Sequence, residues 1–199
     1  MANRQQVNTL PLRTISDFKS KLKGGGARPN LFEVELTFPS GVDVQDENEI
    51  LENARFLVKA AALPSSTIAP IDVPFRGRIL KIAGDRTFET WTITVMNDVS
   101  FGIRSAFEKW MNFINKLDNG TGETDPALYQ VDAKVNQLNR DGGVLRKYTF
   151  KDVFPTNIST IDLSYETTDT IQEFTVEMQV HYWEAYKGNA PQSGGEDIS

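Results

Sequence analysis

The chain has 199 residues, of which 39% are hydrophobic and 24% charged, and its formal net charge is −6. It contains no cysteine and a single histidine, His181, which excludes disulfides and leaves a zinc ion only carboxylates as further ligands. No apolar run approaches the ~20 residues that span a bilayer, and no apolar segment of a signal peptide precedes residue 13. We therefore expect synthesis in a cytoplasm and one domain large enough to bury its own core.

Two segments carry opposite charge. Residues 1–28 hold six basic residues against one acid, which gives +5, and residues 43–52 hold five acids and no base, which gives −5. We predict a basic N-terminal arm over residues 1–27, joined to the domain by Gly24-Gly25-Gly26. The acidic segment lacks the central glycine of a calcium loop, so it is predicted to be a solvated loop.

The middle of the chain is predicted to be mostly β-structure, because apolar and polar residues alternate there in short runs. A bend at Gly77 separates two of these runs, and Pro64 ends another. The predicted strands are Phe32–Phe38, Phe56–Ala60, Ile71–Phe75, Ile79–Ala83, Trp91–Met96, Ala133–Leu138, Leu145–Phe154, Thr160–Tyr165 and Glu173–Tyr182.

One segment has the period of a helix instead of a strand. Its apolar residues recur every three or four positions and form one stripe, which we expect to pack against the sheet. The stripe consists of Ile103, Phe107, Trp110, Ile114 and Leu117. Asp98 or Ser100 is predicted to cap the helix at its N-terminus, and Asn119-Gly120 to end it. The predicted fold is an antiparallel β-sandwich or barrel with one flanking amphipathic helix.

The sequence offers no credible catalytic site. His181 lies on the polar side of the last predicted strand, where a lone histidine is usually a surface or interface side chain. With no second histidine and no cysteine, no metal centre is predicted, and no cofactor is expected.

Five short blocks of sequence occur in a fixed order between Ala27 and Tyr186. They read A-R-P-N-L-F-E-V from Ala27, A-L-P from Ala62, A-G-D-R-T-F-E-T-W-T-I-T-V-M-N-D from Ala83, F-P-T-N-I from Phe154 and H-Y-W-E-A-Y from His181. One short block alone is uninformative, but the third extends over sixteen residues. Together, and in this order, they resemble the tail tube proteins of contractile-tailed bacteriophages.

The resemblance implies a structural protein, not an enzyme. In that family, hexameric rings stack head to tail into the inner tail tube, through which DNA passes into the host. It also implies a tube domain over residues 28–186 and a place in the virion after assembly in the host cytoplasm. Residues 187–199 are rich in glycine and have little to bury, so they are predicted to form a flexible tail, which departs from the shorter family members. The implied partners are other copies of the chain, a sheath protein outside, baseplate and tail terminator proteins at the ends, and duplex DNA that passes without specific binding; no membrane is implied.

Two sets of residues are predicted to serve assembly. The polar face of the last strand is expected to line the channel or a seam between subunits, because a long open edge strand invites aggregation. Its residues are Glu173, Thr175, Glu177, Gln179 and His181. The charged segments are expected to meet between successive rings. The candidate contacts there are Lys19, Lys21, Lys23, Asp46, Glu47 and Glu49.

Three alternatives stay open from the sequence. The chain is also compatible with the tube protein of a bacterial contractile injection system, related to type VI secretion, or with a baseplate paralogue that initiates the tube. A carbohydrate-binding β-sandwich is a third possibility, and it would require exposed aromatic residues on one sheet face.

Overall fold

The computed structural model describes residues 13–22, 25–44 and 46–187. Contacts between residues divide the chain into two units, Met1–Asn30 and Leu31–Ser199. The predicted C-terminal tail lies outside the described residues except for its first residue. Among the helices of the described ranges, none is long and apolar enough to cross a membrane.

The described residues of the first unit form one short helix, and those of the second form nine strands and three helices. The first unit contains α1 (Ile15–Lys21). The second contains β1 (Phe32–Glu35), α2 (Glu47–Leu57), β2 (Val58–Ala61), β3 (Ser66–Phe75), β4 (Arg78–Phe88), β5 (Trp91–Met96), α3 (Gly102–Ile114), α4 (Pro126–Tyr129), β6 (Val131–Leu138), β7 (Val144–Ile158), β8 (Glu173–Gln179) and β9 (Tyr182–Lys187).

Seven of the strands form two antiparallel sheets, and the long strand β7 belongs to both. The N-terminal part of β7 lies between β6 and β9, and with β1 these strands form the first sheet. The C-terminal part of β7 pairs with β8, and the second sheet continues through β5 to β2. Asp152, with a left-handed φ of 54°, lies where β7 passes from one sheet to the other. The remaining strands, β3 and β4, form a separate two-stranded hairpin.

The core is built from the inward faces of the two sheets and the apolar stripe of α3. Along β5, Trp91, Ile93 and Val95 are buried. Every second residue of β8, beginning with Phe174, is buried as well. Trp91 stacks on Phe150 with ring centroids 4.2 Å apart. On α3, Trp110 stacks on Phe107 and donates its indole N–H to the backbone oxygen of Tyr129 over 2.9 Å. The prediction of an antiparallel β-sandwich with an amphipathic helix is therefore confirmed.

The prediction was wrong about helix limits. α3 ends at Ile114, and Leu117, which was assigned to its apolar stripe, is 95% exposed. The residue before the helix is Phe101, in a left-handed conformation, instead of the predicted Asp98 or Ser100. Asp98 still accepts a hydrogen bond of 3.2 Å from the backbone N–H of Gly102, so its carboxylate contacts the first turn.

Several strand predictions also need correction. Residues from Phe56 to Leu57 belong to α2, and the first strand stops at Glu35, where its pairing with β6 ends. No strand forms over Thr160–Tyr165, because no neighbouring strand in the described part of the chain pairs with it. The last predicted strand is divided at Val180 and His181 into β8 and β9, since its partner β7 bends between the two sheets.

Candidate functional site

The strands of the β3–β4 hairpin are exposed over almost their whole length, so the core of the second unit does not cover them. The hairpin turns at Arg76 and Gly77, whose φ values of 46° and 80° are those of a two-residue turn that matches strand twist. Near its base the register shifts between Ile68 and Pro70. A Cβ atom on Gly84 would lie 2.6 Å from the backbone oxygen of Ala69, so this kink requires glycine.

One face of the hairpin is apolar and exposed. Cross-strand partners lie on the same face of a ladder, and here Ile71 is opposite Ile82 and Val73 opposite Leu80. Phe75 and Leu80 are 67% and 60% exposed, and the others on this face are exposed as well. The opposite face carries the ion pair between Lys81 and Asp72, 2.7 Å apart. A contiguous exposed apolar face of this kind marks an interaction surface, because monomers rarely leave one open to water.

The two edges of the hairpin differ in their capacity to bind another strand. Phe75 and Arg78 flank the two-residue turn and form a hydrogen-bonded pair across the hairpin. Every second residue of β3, counted from Phe75, therefore bonds to β4, and the residues between them direct their backbone nitrogen away from β4. Pro70 and Pro74 are among these outward residues. Proline has no N–H, and the outer edge of β3 therefore lacks donors at two positions. The outer edge of β4 contains no proline, so its donors and acceptors remain complete.

The base of the hairpin is held against β9. The indole N–H of Trp183 donates to the backbone oxygen of Ser65 over 3.3 Å, and its ring meets Phe88 edge to face, with centroids 6.5 Å apart. Trp183 also contacts Tyr148 of β7 edge to face. The hairpin is thus fixed at its base while its outer half has no cover among the described residues.

The polar residues predicted to serve assembly on the last strand are placed on two different features. The first four, from Glu173 to Gln179, alternate along β8 with buried Phe174, Val176 and Met178, so they share the outer face of the second sheet. Thr94 and Thr175 are directly opposite each other there. Glu173 and Glu177 are the acidic residues that β8 contributes to this face, and Lys59 is paired with Glu173 at 2.6 Å.

His181 does not belong to that face. It lies in the break between β8 and β9, where its ring meets Tyr182 edge to face. It also lines a depression of about 380 Å³ beside the hairpin base, together with Arg86 and Asp152. The described residues contain no group of three side chains that could hold a metal ion, so His181 has no ligand partners there.

The acidic segment was predicted wrongly as a loop. Asp46 immediately precedes α2, and Glu47 and Glu49 occupy the first helical turn, where carboxylates interact favourably with the helix dipole. The apolar residues Ile50 and Leu57, with buried Ala54 between them, follow helical spacing and pack against the core. This spacing was the sequence feature that could have identified α2, but the acidic composition obscured it.

The basic arm contains a capped helix. Thr14 and Asp17 form a capping box: the Thr14 hydroxyl accepts from the Asp17 N–H, and the Asp17 carboxylate accepts from the Thr14 N–H over 2.9 Å. These hydrogen bonds, the backbone one above all, lower the pKa of Asp17. Lys19 and Lys21 lie in the last turn of α1, whereas Lys23 lies outside the described residues.

Two interactions between polar side chains on the first sheet stabilise the subunit. The Lys151 ammonium is 2.5 Å from the Asp132 carboxylate, and this hydrogen bond raises the pKa of Lys151. Tyr186 donates its hydroxyl proton to Glu184, which raises the pKa of Tyr186. Each of these groups has its partner within the subunit, so we interpret the ion pair and the hydrogen bond as structural.

The chain matches known proteins over most of its length. A family model described as phage tail tube protein matches residues 27–186. The tail tube protein gp19 of Enterobacteria phage T4 is 36% identical over 162 residues, which cover 81% of this chain and 93% of that protein. The tail tube protein of Serratia phage KSP90 is 26% identical over 170 residues and 84% of this chain.

The fold is similar to chains of solved contractile assemblies. One belongs to the six-fold symmetrised baseplate of the anti-feeding prophage, with a TM-score of 0.60 over 81% of this chain and 96% of that one, at 11% identity. Another belongs to the sheath–tube complex of an extracellular contractile injection system, with a TM-score of 0.55 over 84% of this chain and 97% of that one, at 16% identity.

Proposed function

The chain belongs to the phage tail tube protein family, and we propose that its copies form hexameric rings that stack head to tail into the inner tube of a contractile tail. As a family member it is a structural component of the tail and not an enzyme. The observation that carries the proposal is the β3–β4 hairpin, whose apolar face is exposed in the single subunit. A two-stranded ribbon is marginally stable alone, and a neighbouring copy would cover it at every position of the tube.

In the proposed tube wall, the hairpin of one copy pairs with a strand of the neighbouring copy. The outer edge of β4 offers the N–H and C=O groups of Ile79, Lys81 and Ala83, whereas proline removes donors from the outer edge of β3. We therefore place the joint between subunits at β4. A closed ring in which every such edge is paired also removes the aggregation hazard of open edges.

The polar face of β8 is proposed to line the channel or the seam beside it. Glu173, Thr175, Glu177 and Gln179 lie there. Lys59 on β2, which is separated from β8 by β5, forms an ion pair with Glu173. Affinity for duplex DNA comes mostly from cationic side chains that displace counterions. A wall of threonine, glutamine and glutamate repels phosphate and lets DNA pass without specific binding. His181 lies outside this face, in the depression beside the hairpin base.

The proposed partners follow from the same assembly. A sheath protein would surround the tube, baseplate and terminator proteins would close its ends, and the tube would be built in the host cytoplasm. The fold similarity includes a chain of a baseplate as well as a chain of a sheath–tube complex. The alternative of a tube-initiating baseplate paralogue is less well supported, because the match at 36% identity is to a tail tube protein.

Negative-stain electron microscopy of the purified full chain tests the proposal. Long hollow tubes with six-fold end views support it. Discrete rings that never elongate would favour the baseplate paralogue. Monomers at every protein concentration and salt would contradict the proposal.

A further inference from the structure

The arm helix α1 has an exposed apolar stripe. Ile15, Phe18 and Leu22 are 75%, 62% and 45% exposed. Positions three, four and seven apart lie on one side of a helix, so these three side chains form one continuous strip. The capping box at Thr14 and Asp17 fixes the first turn of this helix. A capped helix with an uncovered stripe is typical of a segment that docks onto a protein surface.

Basic side chains flank this stripe on both sides. At 100° per residue, Lys19 lies to one side of Phe18 and Lys21 to the other, while Asp17 lies away from the stripe. The partner of α1 should therefore be an apolar groove with a negatively charged rim. The family model begins at residue 27, so α1 lies outside the part of the chain that matches the family.

A groove with a mixed polar and apolar lining and an acidic rim lies between α2 and α3 in the second unit. It has a volume of about 400 Å³, within the range of about 300–1,000 Å³ usual for binding clefts. Its apolar lining includes Val44, Ile50 and Ala106, and Asp46 and Glu49 contribute the acidic rim.

The charges of the groove are available for a partner. Within the described residues neither Asp46 nor Glu49 forms an ion pair, and both are exposed. Lys109 also lines the groove, but its ammonium is held 2.8 Å from the backbone oxygen of Asp43. The rim is therefore negative on balance.

We propose that α1 of one copy docks in the α2–α3 groove of a second copy, with Phe18 in the apolar floor and Lys19 and Lys21 at the rim acids Asp46 and Glu49. This rests on the proposed function, because stacked rings bring copies into repeated contact. Nine Cα–Cα steps separate Leu22 from Leu31, and a fully extended chain of that length spans about 30 Å, which is enough to extend to an adjoining copy. The contact has a direction, so it favours head-to-tail stacking over face-to-face pairing.

Cross-linking between single-cysteine chains tests the contact, because the natural chain contains no cysteine. One chain carries Ile15→Cys, which leaves Phe18 in place, and a second chain of different tag length carries Asn53→Cys on the groove wall. The matched control replaces Asn53→Cys by Asp141→Cys, an exposed position in the β6–β7 turn. The two chains are mixed, assembled at low salt and oxidised. We expect mixed disulfide dimers with Asn53→Cys and few with Asp141→Cys.

Two further variants separate the apolar and the charged part of the contact. Phe18→Ser removes the buried aromatic and should lower the cross-link yield roughly tenfold or more. Glu49→Lys should lower it about two- to fivefold at low salt, as expected for exposed pairs, and the added change Lys19→Glu should restore part of it. The effect of Glu49→Lys should shrink as salt screens the pair.

The outcomes distinguish the contact from the tube itself. Tubes that form without the mixed disulfide, or with equal yields for Asn53→Cys and Asp141→Cys, overturn the docking proposal and leave the tube standing. A disulfide formed within isolated monomers of one chain that carries both Ile15→Cys and Asn53→Cys also overturns it. Phe18-dependent binding to anionic lipid vesicles without the mixed disulfide would assign α1 to a membrane surface instead. The absence of any polymer contradicts both proposals.

Discussion

The sandwich strands and the strands of the β3–β4 hairpin have a similar alternation of apolar residues but differ in burial. In β5 and β8 every second side chain is apolar and buried beneath α3 or the facing sheet. In the hairpin Ile71, Val73 and Leu80 alternate in the same way and remain exposed. Alternation therefore specifies a strand with one face to be covered, but not whether the cover comes from the same chain or from another copy. The sandwich forms the core of the subunit, and we propose that the hairpin joins subunits.

The largest effect is expected in the sandwich core. Trp110→Ala removes a buried aromatic that stacks on Phe107 and meets Phe38 edge to face. It should lower the free energy of unfolding by ~3–5 kcal/mol, a large part of the ~5–15 kcal/mol of a typical domain. Guanidinium unfolding, or the soluble fraction after expression, measures this. The control Phe56→Ala, at a site 80% exposed, should change stability by less than about 0.5 kcal/mol. A stable, soluble Trp110→Ala subunit would show that the stripe is not core.

The hairpin should respond in the opposite way. The double change Leu80→Ser and Ile82→Ser should alter the unfolding free energy of the monomer by less than about 0.5 kcal/mol, because both residues are exposed there. Tube formation, measured by sedimentation, should be lost. Leu163→Ser, at an exposed loop position, is the matched control and should polymerise normally. If the double variant polymerises like the parent chain, the apolar face is not an interface.

The open edge of β4 gives a smaller and more specific effect. Ile79→Pro removes one outward N–H and should weaken each contact between subunits by about 0.5–1.5 kcal/mol, the net value of one hydrogen bond. Ile79→Ala shortens the side chain and keeps the N–H. We expect the critical concentration for assembly to rise more for Ile79→Pro than for Ile79→Ala. Equal critical concentrations would place the joint on another edge.

The smallest effect concerns the sandwich alone. Lys151→Met removes the ion pair with Asp132, both partly exposed, and should cost at most about 1 kcal/mol at neutral pH. Since the pair raises the pKa of Lys151, its contribution is complete below the ordinary value of 10.5 and is lost as pH rises through the raised pKa. Urea unfolding between pH 7 and 12 should show the parent chain approaching Lys151→Met at the alkaline end. A constant difference across that range would assign the effect to packing.

The sequence predicted those parts of the fold that local periodicity determines. The stripe of α3 and the alternation of β5 and β6 were sufficient to place these elements, because each contacts one continuous core. The helix α2 was missed because its acidic first turn suggested a solvated loop, although Ile50, Ala54 and Leu57 have helical spacing. The division of the last strand at His181 depends on its pairing with bent β7, which is a long-range property.

The assembly surface was predictable only in part. The bend at Gly77 and the two hairpin strands were predicted from the sequence, and they are confirmed. Their separation from the main sheet was not predicted, because the alternation of apolar and polar residues does not determine which strand pairs with which. The prolines at positions 70 and 74 were the sequence feature that distinguished one edge from the other.

The most direct test of this account is a cryo-electron microscopy reconstruction of the polymer formed by the full chain. We predict that Ile71, Phe75 and Leu80 are buried against a neighbouring copy and that the outer edge of β4 is hydrogen-bonded to a strand of that copy. A tube in which this face of the hairpin remains exposed to solvent would contradict the central claim.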